Sequence, residues 1–413
     1  MSENVASLVN KDRLWTRLMQ MARHGETPAG GVNRQALSTE EIAARRDLID
    51  WGAEFGLSAR ADPAGNLFLR LEGRDAGAPP VMSGSHLDSQ PNGGKFDGVY
   101  GVLAALEAVQ AIKQSGEPLA RAIEIVAWMN EEGSRFAPGM MGSSAYAGAA
   151  SLADILPVCD SRGTSVAAAL KGLDAAFPGL PLRPLGGPVA AYVEAHIEQG
   201  PLLERKGFSV GVVTGMQGKR TFRVVVKGET AHAGTSIRAE RKDALLAATA
   251  VIQALAAAMH DAQDIVKFTV GRLDIKPNVP SVVAAEATFS IDLRHPDAAT
   301  LRDLGDRVPV ICAAAAQPCK LLIEELVSAV PLQFPVAMRE LVRESATALG
   351  IKTMDILSSA GHDARYLHDI CPAAMIFVPC KDGVSHNEAE SATPEDLYDG
   401  TRVLAQMLFT LAH

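Results

Sequence analysis

The chain has 413 residues, 47% of them hydrophobic, which is too long for one ordinary core and enough apolar material for two. Acidic residues outnumber basic ones 48 to 39, a formal net charge of −9, and no Lys/Arg cluster with interleaved aromatics occurs. That balance argues against a nucleic-acid or anionic-membrane partner and points to a small-molecule target.

In chain order, Ser38-x-x-Glu41 is a capping-box pattern opening an amphipathic helix to about Gly56, with Ile42, Leu48, Ile49 and Trp51 near helical spacing. Short apolar runs then alternate with helical stretches: strand 80–85, helix 99–112, strand 122–129 and strand 189–195. This alternation predicts an α/β fold with a mostly parallel sheet covered by helices. From about residue 216 the rhythm changes to strand 221–227, helix 241–260, strands 265–273 and 282–293, helix 299–315 and strand 320–327. The order βαββαβ predicts an inserted ferredoxin-like domain. The first rhythm resumes with helix 336–349, a short strand near Thr353, strand 373–378 and a last helix opened by Thr393-Pro394 as N-cap and first turn. The expected division is therefore 1–215 and 331–413 for the larger domain and 216–330 for the insert.

Five cysteines, Cys159, Cys312, Cys319, Cys371 and Cys380, are odd in number and lack C-x-x-C spacing, the pattern of free thiols in a reducing compartment. The stretch MSENVASLVNKDRLWTRLMQMARHG has no basic start, apolar run and small-residue cleavage site, and nowhere do 18 apolar residues run uninterrupted. A cytoplasmic location is the expectation.

In GSHLDSQPNGGKFDG, His86 emerges at the carboxyl end of a strand, where open α/β sheets place ligand sites. Asp88, two residues on along an extended chain, is placed to accept the other imidazole N–H. Asp97 sits at a helix start; taken alone, a plain N-cap explains it equally well. In WMNEEGSRF, Glu131 and Glu132 stand together after a core-like segment, where adjacent like charges repel unless a cation compensates one. His196 in EAHIEQGP and His386 in GVSHNEAE stand at or beside other strand ends. Imidazoles and carboxylates without thiolates suit zinc, manganese, cobalt or nickel at a hydrolytic site, and a bridging carboxylate could hold two such ions. Glu132 would then face a cation and leave Glu131 to serve as general base. Arg294 lies on the polar face of the strand ATFSIDLRH, where it either clamps a substrate carboxylate or pairs with Asp292.

These blocks, with GETAHAG, PNVPS, DLRHP and SAGHDA, resemble in content and order the hydantoinase/carbamoylase branch of the dinuclear-metal aminoacylase/carboxypeptidase superfamily, over nearly the whole chain. That branch contains N-carbamoyl-L-amino-acid hydrolases, β-ureidopropionases and allantoate amidohydrolases. The resemblance implies His86, Asp97, Glu132, His196 and His386 as ligands of two divalent ions, Asp97 bridging, and Glu131 as catalytic base. It implies His232 as oxyanion donor, substrate roles for Gln199, Asn278 and Arg294, and an inserted domain that is both lid and homodimer surface. SAGHDA is read as a turn presenting backbone N–H groups, Gly361 among them, to substrate, with His362 and Asp363 structural. The implied reaction is hydrolysis of an N-carbamoyl-L-amino acid to amino acid, ammonia and carbon dioxide. β-Ureidopropionase and allantoate amidohydrolase are close alternatives; a dipeptidase or aminoacylase and an inactive metal-binding scaffold are more distant ones.

Overall fold

The computed structural model describes residues 5–413. The chain divides into two compact units, one running to Thr214 and resuming at Phe334, the other covering Gly215–Gln333. Its strands, in chain order, are β1 (Ser58–Ala61), β2 (Leu67–Leu71), β3 (Val81–His86), β4 (Ile123–Trp128), β5 (Ala191–Ile197), β6 (Val210–Met216), β7 (Gly218–Lys227), β8 (Lys267–Thr269), β9 (Leu273–Lys276), β10 (Glu286–His295), β11 (Lys320–Ala329), β12 (Leu332–Gln333), β13 (Thr353–Ser358) and β14 (Ala373–Val378).

In the larger unit β4, β3, β5 and β14 are parallel neighbours in that order and every residue in them is buried. Burial on both faces is why they read as continuous apolar runs. One face packs on the helices Val99–Ser115 and Pro394–Ala412 through Leu103, Leu106, Val403 and Leu404. Antiparallel partners flank the parallel block: β2 and β1 beyond β4, and β6 beyond β14. A second core of Met129, Phe136, Met141, Val166 and Leu170 lies under helices Met141–Tyr146 and Val166–Ala176, which the sequence reading left unassigned.

Ser38 caps the helix Thr39–Ala53 by accepting the Glu41 N–H at 3.2 Å. The reciprocal half of the expected capping box does not form. The Glu41 carboxylate instead accepts the Leu37 N–H at 2.7 Å and pairs with Arg45, one turn on and equally buried, because a buried carboxylate gains more from a guanidinium than from a second amide. Thr393 and Pro394 open the last helix as N-cap and first-turn proline.

The inserted unit has the antiparallel order β11-β7-β10-β8, with β9 also on β10. Its helices Ala244–Ala258 and Ala298–Ala315 cover one sheet face, burying Val224, Phe289, Ile291, Val251, Leu255 and Val308 together. This is the ferredoxin-like arrangement, with one correction. The single strand read at 265–273 is two short strands, both paired to β10, because Val270, Gly271 and Arg272 interrupt it.

Candidate metal centre

The four parallel strands end on the same side of the sheet, and candidate ligands follow each of them. His86 closes β3, His196 is the penultimate residue of β5, Glu131 and Glu132 follow β4, and His386 follows β14. Asp97 precedes the helix Val99–Ser115. Between them Gly98 takes φ 66°, and a Cβ there would lie 2.3 Å from the His86 ring, so only glycine lets this backbone pass the imidazole.

Two sets of donor atoms result, His86/Asp97/His196 and Asp97/Glu132/His386, each with all its atoms within 4.8 Å of one another and Asp97 common to both. Asp97 Oδ1 lies 3.6 Å from His86 Nε2 and 3.2 Å from His196 Nε2; its Oδ2 lies 3.2 Å from His386 Nε2. Glu132 Oε2 is 3.3 Å from the same His386 nitrogen. In the first set each Nδ1 faces a backbone carbonyl at 2.9 Å, Asp88 O for His86 and Ile197 O for His196, so Nδ1 carries a proton and Nε2 is the ring atom turned to Asp97. Glu131 belongs to neither set; its Oε2 stands 3.6 Å from His86 Nε2.

Asp88 acts differently from the sequence expectation. Its carbonyl, not its carboxylate, orients His86, and the carboxylate oxygens, buried at the head of the loop, accept the N–H groups of Glu131 and Glu132 at 3.2 Å each. Asn130, at φ 55°, turns the chain between β4 and these glutamates, and its Nδ2 donates to Phe136 O at 2.7 Å. The turn ends the strand alternation that would send neighbouring side chains to opposite faces, so Glu131 and Glu132 both reach the cluster. Gln199 and His386 are also left-handed, φ 57° and 54°, and strain of this kind gathers at functional loops.

Gln90, Ser385 and Glu390, which the sequence reading missed, hold the acids in place together with Gln199, which it expected at the substrate. Gln90 Nε2 donates to Glu132 at 2.7 Å. Ser385 Oγ and Gln199 Nε2 each donate to Asp97 Oδ2 at 2.8 Å, while Gln199 Oε1 is buried without a hydrogen-bond partner. Glu390, itself buried, accepts the N–H groups of Phe96 and Asp97 at 2.8 and 3.1 Å and the Ser385 hydroxyl at 3.1 Å, tying the Asp97 and His386 loops together. Glycine at position 94 makes room for it; a second acidic residue in HNEAE is the only sequence trace of this role. His362 stacks edge-on against His196 at 4.5 Å between centroids and Asp363 accepts the Ser143 hydroxyl, so both support the site from outside the donor sets. In the SAGHDA turn the Ala360 N–H donates to Ser358 Oγ and the Ala364 N–H to Glu194, so those two amides are already used; Gly361 is half-buried beside Met140.

Electrostatics follow from this crowding. Burial opposes the Asp97 charge, yet hydrogen bonds from His196, His386 and His86 hold its carboxyl well below the usual range. Burial likewise opposes charge on His86, but Glu131, Asp97 and Asp88 raise its pKa well above the ordinary value. The hydrogen bond to Asp97 lifts His386 to about 9. Burial, with Asp363, Glu132 and Asp88 adding to it against His86, pushes Glu131 well up. Burial and the Asp97 charge bring Glu390 to about 7. Protons thus compensate a buried excess of carboxylates, the condition that divalent cations relieve, and the thiolate-free donor set fits such ions.

Three other candidates lie in the inserted unit. His232 is exposed on the loop after β7; its Nδ1 accepts the Gly234 and Thr235 N–H groups at 3.0 and 3.1 Å, and its backbone bridges Val282. Asn278 is exposed in the loop leading to that bridge. Arg294 is bound by both Asp292 oxygens, at 2.7 and 3.1 Å, and Lys219 contacts the same carboxylate at 3.1 Å. Arg294 lies toward the far end of β10 from Glu286, beside which the His232 loop begins. At strand rise, the eight residue steps from Glu286 to Arg294 span roughly 26 Å.

A buried parallel sheet that gathers imidazoles and carboxylates at its carboxyl ends, and that is interrupted by a ferredoxin-like unit, defines a metal-dependent hydrolase. The chain belongs to peptidase family M20/M25/M40, whose family model matches residues 82–410. It is 38% identical to an N-carbamoyl-L-amino-acid amidohydrolase of Rhizobium meliloti over 96% of this chain and 95% of that one. It is 36% identical to the allantoate amidohydrolase of Escherichia coli (strain K12), covering 95% and 96%. The solved structure of a hydantoinase/carbamoylase family amidase from Burkholderia vietnamiensis superposes with a TM-score of 0.91 at 39% identity, covering 98% of each chain.

Proposed function

We propose that the chain hydrolyses the ureido C–N bond of N-carbamoyl-L-amino acids. The observation that carries this reading is the pair of donor sets sharing Asp97, with Glu131 beside them and in neither; similarity to carbamoyl-amino-acid amidohydrolases supplies the substrate class. His86, Asp97 and His196 would hold one divalent ion and Asp97, Glu132 and His386 a second, zinc, manganese, cobalt or nickel. When bound, such ions polarise a carbonyl oxygen and lower the pKa of a coordinated water.

Glu131 takes the proton from the attacking water and returns it to the leaving nitrogen. Breaking the bond from the carbonyl carbon to the amino-acid nitrogen leaves carbamic acid, whose remaining C–N bond then breaks to give carbon dioxide and ammonia, so one water gives amino acid, ammonia and carbon dioxide. Gln199 Oε1 accepts a ureido N–H, which satisfies an oxygen that has no other partner. His232, its Nδ1 engaged by two amides and its proton therefore on Nε2, donates to the developing oxyanion. Arg294 and Asn278 bind the carboxylate, and Gly361 lets the substrate approach the SAGHDA turn.

Arg294 and His232 stand further apart along one sheet than a carbamoyl amino acid reaches, so both serve one substrate only if two subunits each contribute one. A homodimer through the inserted unit follows, supported by the edge strand β11 with exposed Leu322 and Leu326 and by the exposed Val330 beyond it. Five free cysteines support a reducing, cytoplasmic setting; no helix of the described residues is long and apolar enough to cross a membrane.

Allantoate is the second reading, because the allantoate amidohydrolase match is nearly as close as the carbamoylase one. Ammonia release from a panel of N-carbamoyl-L-amino acids, N-carbamoyl-β-alanine and allantoate, with metal-stripped protein reloaded with zinc, manganese or cobalt, separates them. Turnover led by N-carbamoyl-L-amino acids supports the proposal, and preference for either other substrate replaces it.

A further inference from the structure

His232 is exposed, yet the loop that carries it is tightly constrained. At its base Gly228 passes so near Lys242 that a Cβ would lie 1.9 Å from the carbonyl oxygen, the Glu229 N–H donates to that oxygen at 2.8 Å, and the Lys242 ammonium pairs with Glu229 at 2.6 Å. On one side Ala231 and Ala233 exchange backbone hydrogen bonds with Val283 and Ser281. Inside the loop Ser236 Oγ donates to His232 O at 2.7 Å. A single guanidinium closes the remaining gap. Arg241 Nε donates to Ser236 Oγ at 2.8 Å, and its Nη2 donates to Ala233 O at 2.7 Å and Ser236 O at 3.0 Å.

We propose that Arg241 is a positioning residue for the reaction. By gripping Ala233 and Ser236 on either side of Gly234 and Thr235, it keeps those two N–H groups aimed at His232 Nδ1 and so holds the ring in the Nε2–H form that can donate. The inference rests on the reading of His232 as the oxyanion donor. A planar fork is needed because two of its nitrogens serve three acceptors at once, Ser236 Oγ from Nε and the Ala233 and Ser236 carbonyls from Nη2, and an ammonium on a flexible stem does not reproduce that geometry.

The test compares Arg241→Ala, Arg241→Lys, His232→Ala and the Arg241→Ala/His232→Ala pair in the full chain, reading kcat and KM for ammonia release, the thermal midpoint, and the ¹⁵N spectrum of histidine-labelled protein with the His232 signal assigned by its loss in His232→Ala. Arg241→Ala is expected to lower kcat by about 10- to 100-fold, a share of the loss typical of removing an oxyanion donor, with KM within a few-fold, a retained thermal midpoint and a His232 signal no longer in the single Nε2–H form. Arg241→Lys falls between. Adding Arg241→Ala to His232→Ala costs nothing further, because the arginine acts only through that ring. Multiplying losses in the pair, or an unchanged His232 signal in Arg241→Ala, overturns the proposal. Unchanged turnover in His232→Ala alone, with the His232 signal still responding to Arg241→Ala, overturns instead the catalytic reading of His232 and leaves the positioning of its ring intact.

Discussion

The two regions that carry candidate chemistry are built by opposite means. In the larger unit the polar groups are buried and the acids lean on further residues: Asp88 holds the Glu131 and Glu132 amides, Glu390 the Asp97 amide, Gln90 the Glu132 carboxylate. Only His386 among them has a half-exposed side chain. In the inserted unit His232 and Asn278 are exposed and Arg294 shares Asp292 with Lys219. A buried acidic cluster must be fixed before anything binds, since unpaired charge in a dry site is costly. Groups that meet substrate from solvent need only a rigid base. Changes in the first region should therefore register as metal affinity, and changes in the second as turnover or KM with metal content intact.

The largest effect is the one that breaks this rule. Glu131→Gln, though it lies in the buried region, should leave metal content and folding unchanged and lower kcat by roughly 10²- to 10⁴-fold, the usual worth of a positioned acid-base group. Metal analysis and ammonia release on one preparation check it. Arg294→Lys should raise KM by about 10- to 100-fold, because an ammonium cannot replace a two-pronged carboxylate contact, with metal content again unchanged. Glu390→Ala should do the reverse and weaken metal binding by about 10- to 100-fold, as loss of a group that orients ligands does. Glu390→Gln, which keeps an acceptor for the two amides, should lose less; titration calorimetry of metal-stripped protein separates the two variants.

Smaller, and common to the whole cluster, is its dependence on pH. His86, His196 and His386 all have raised pKa values, His386 about 9. Below those values the metal-free imidazoles hold protons that a cation must displace. Apparent metal affinity should rise with pH from neutrality, by up to about tenfold per unit for each proton released, with the His386 share of that rise ending above about 9. Calorimetry in buffers of different ionisation enthalpy counts the protons; none released near neutrality would contradict the described cluster.

Much of the architecture was legible because burial leaves a local signature. Strands β3, β4, β5 and β14 are apolar along their length and were read to within two residues, as was the Thr393-Pro394 cap. The weaker strands were not: β1 and β2 are short antiparallel additions, and the segment at 265–273 broke in two. In the site, residue types at strand ends pointed to His86, His196 and His386. Their supports were invisible because they act across long stretches of chain: Glu390 reaches Asp97 over 293 positions and Gln90 reaches Glu132 over 42. Asp88 shows the same limit in miniature, since spacing placed it correctly while only the fold decides that its carbonyl faces the histidine and its carboxylate the glutamates.

The central claim is that Asp97 stands between two cations and that Glu131 binds neither. Anomalous X-ray diffraction at the absorption edge of the reloaded metal tests it most directly. The account predicts two peaks roughly 3.5–4 Å apart, one beside His86 and His196, the other beside Glu132 and His386, with Asp97 touching both and Glu131 touching neither. A single peak, or an ion ligated by Glu131, would contradict it.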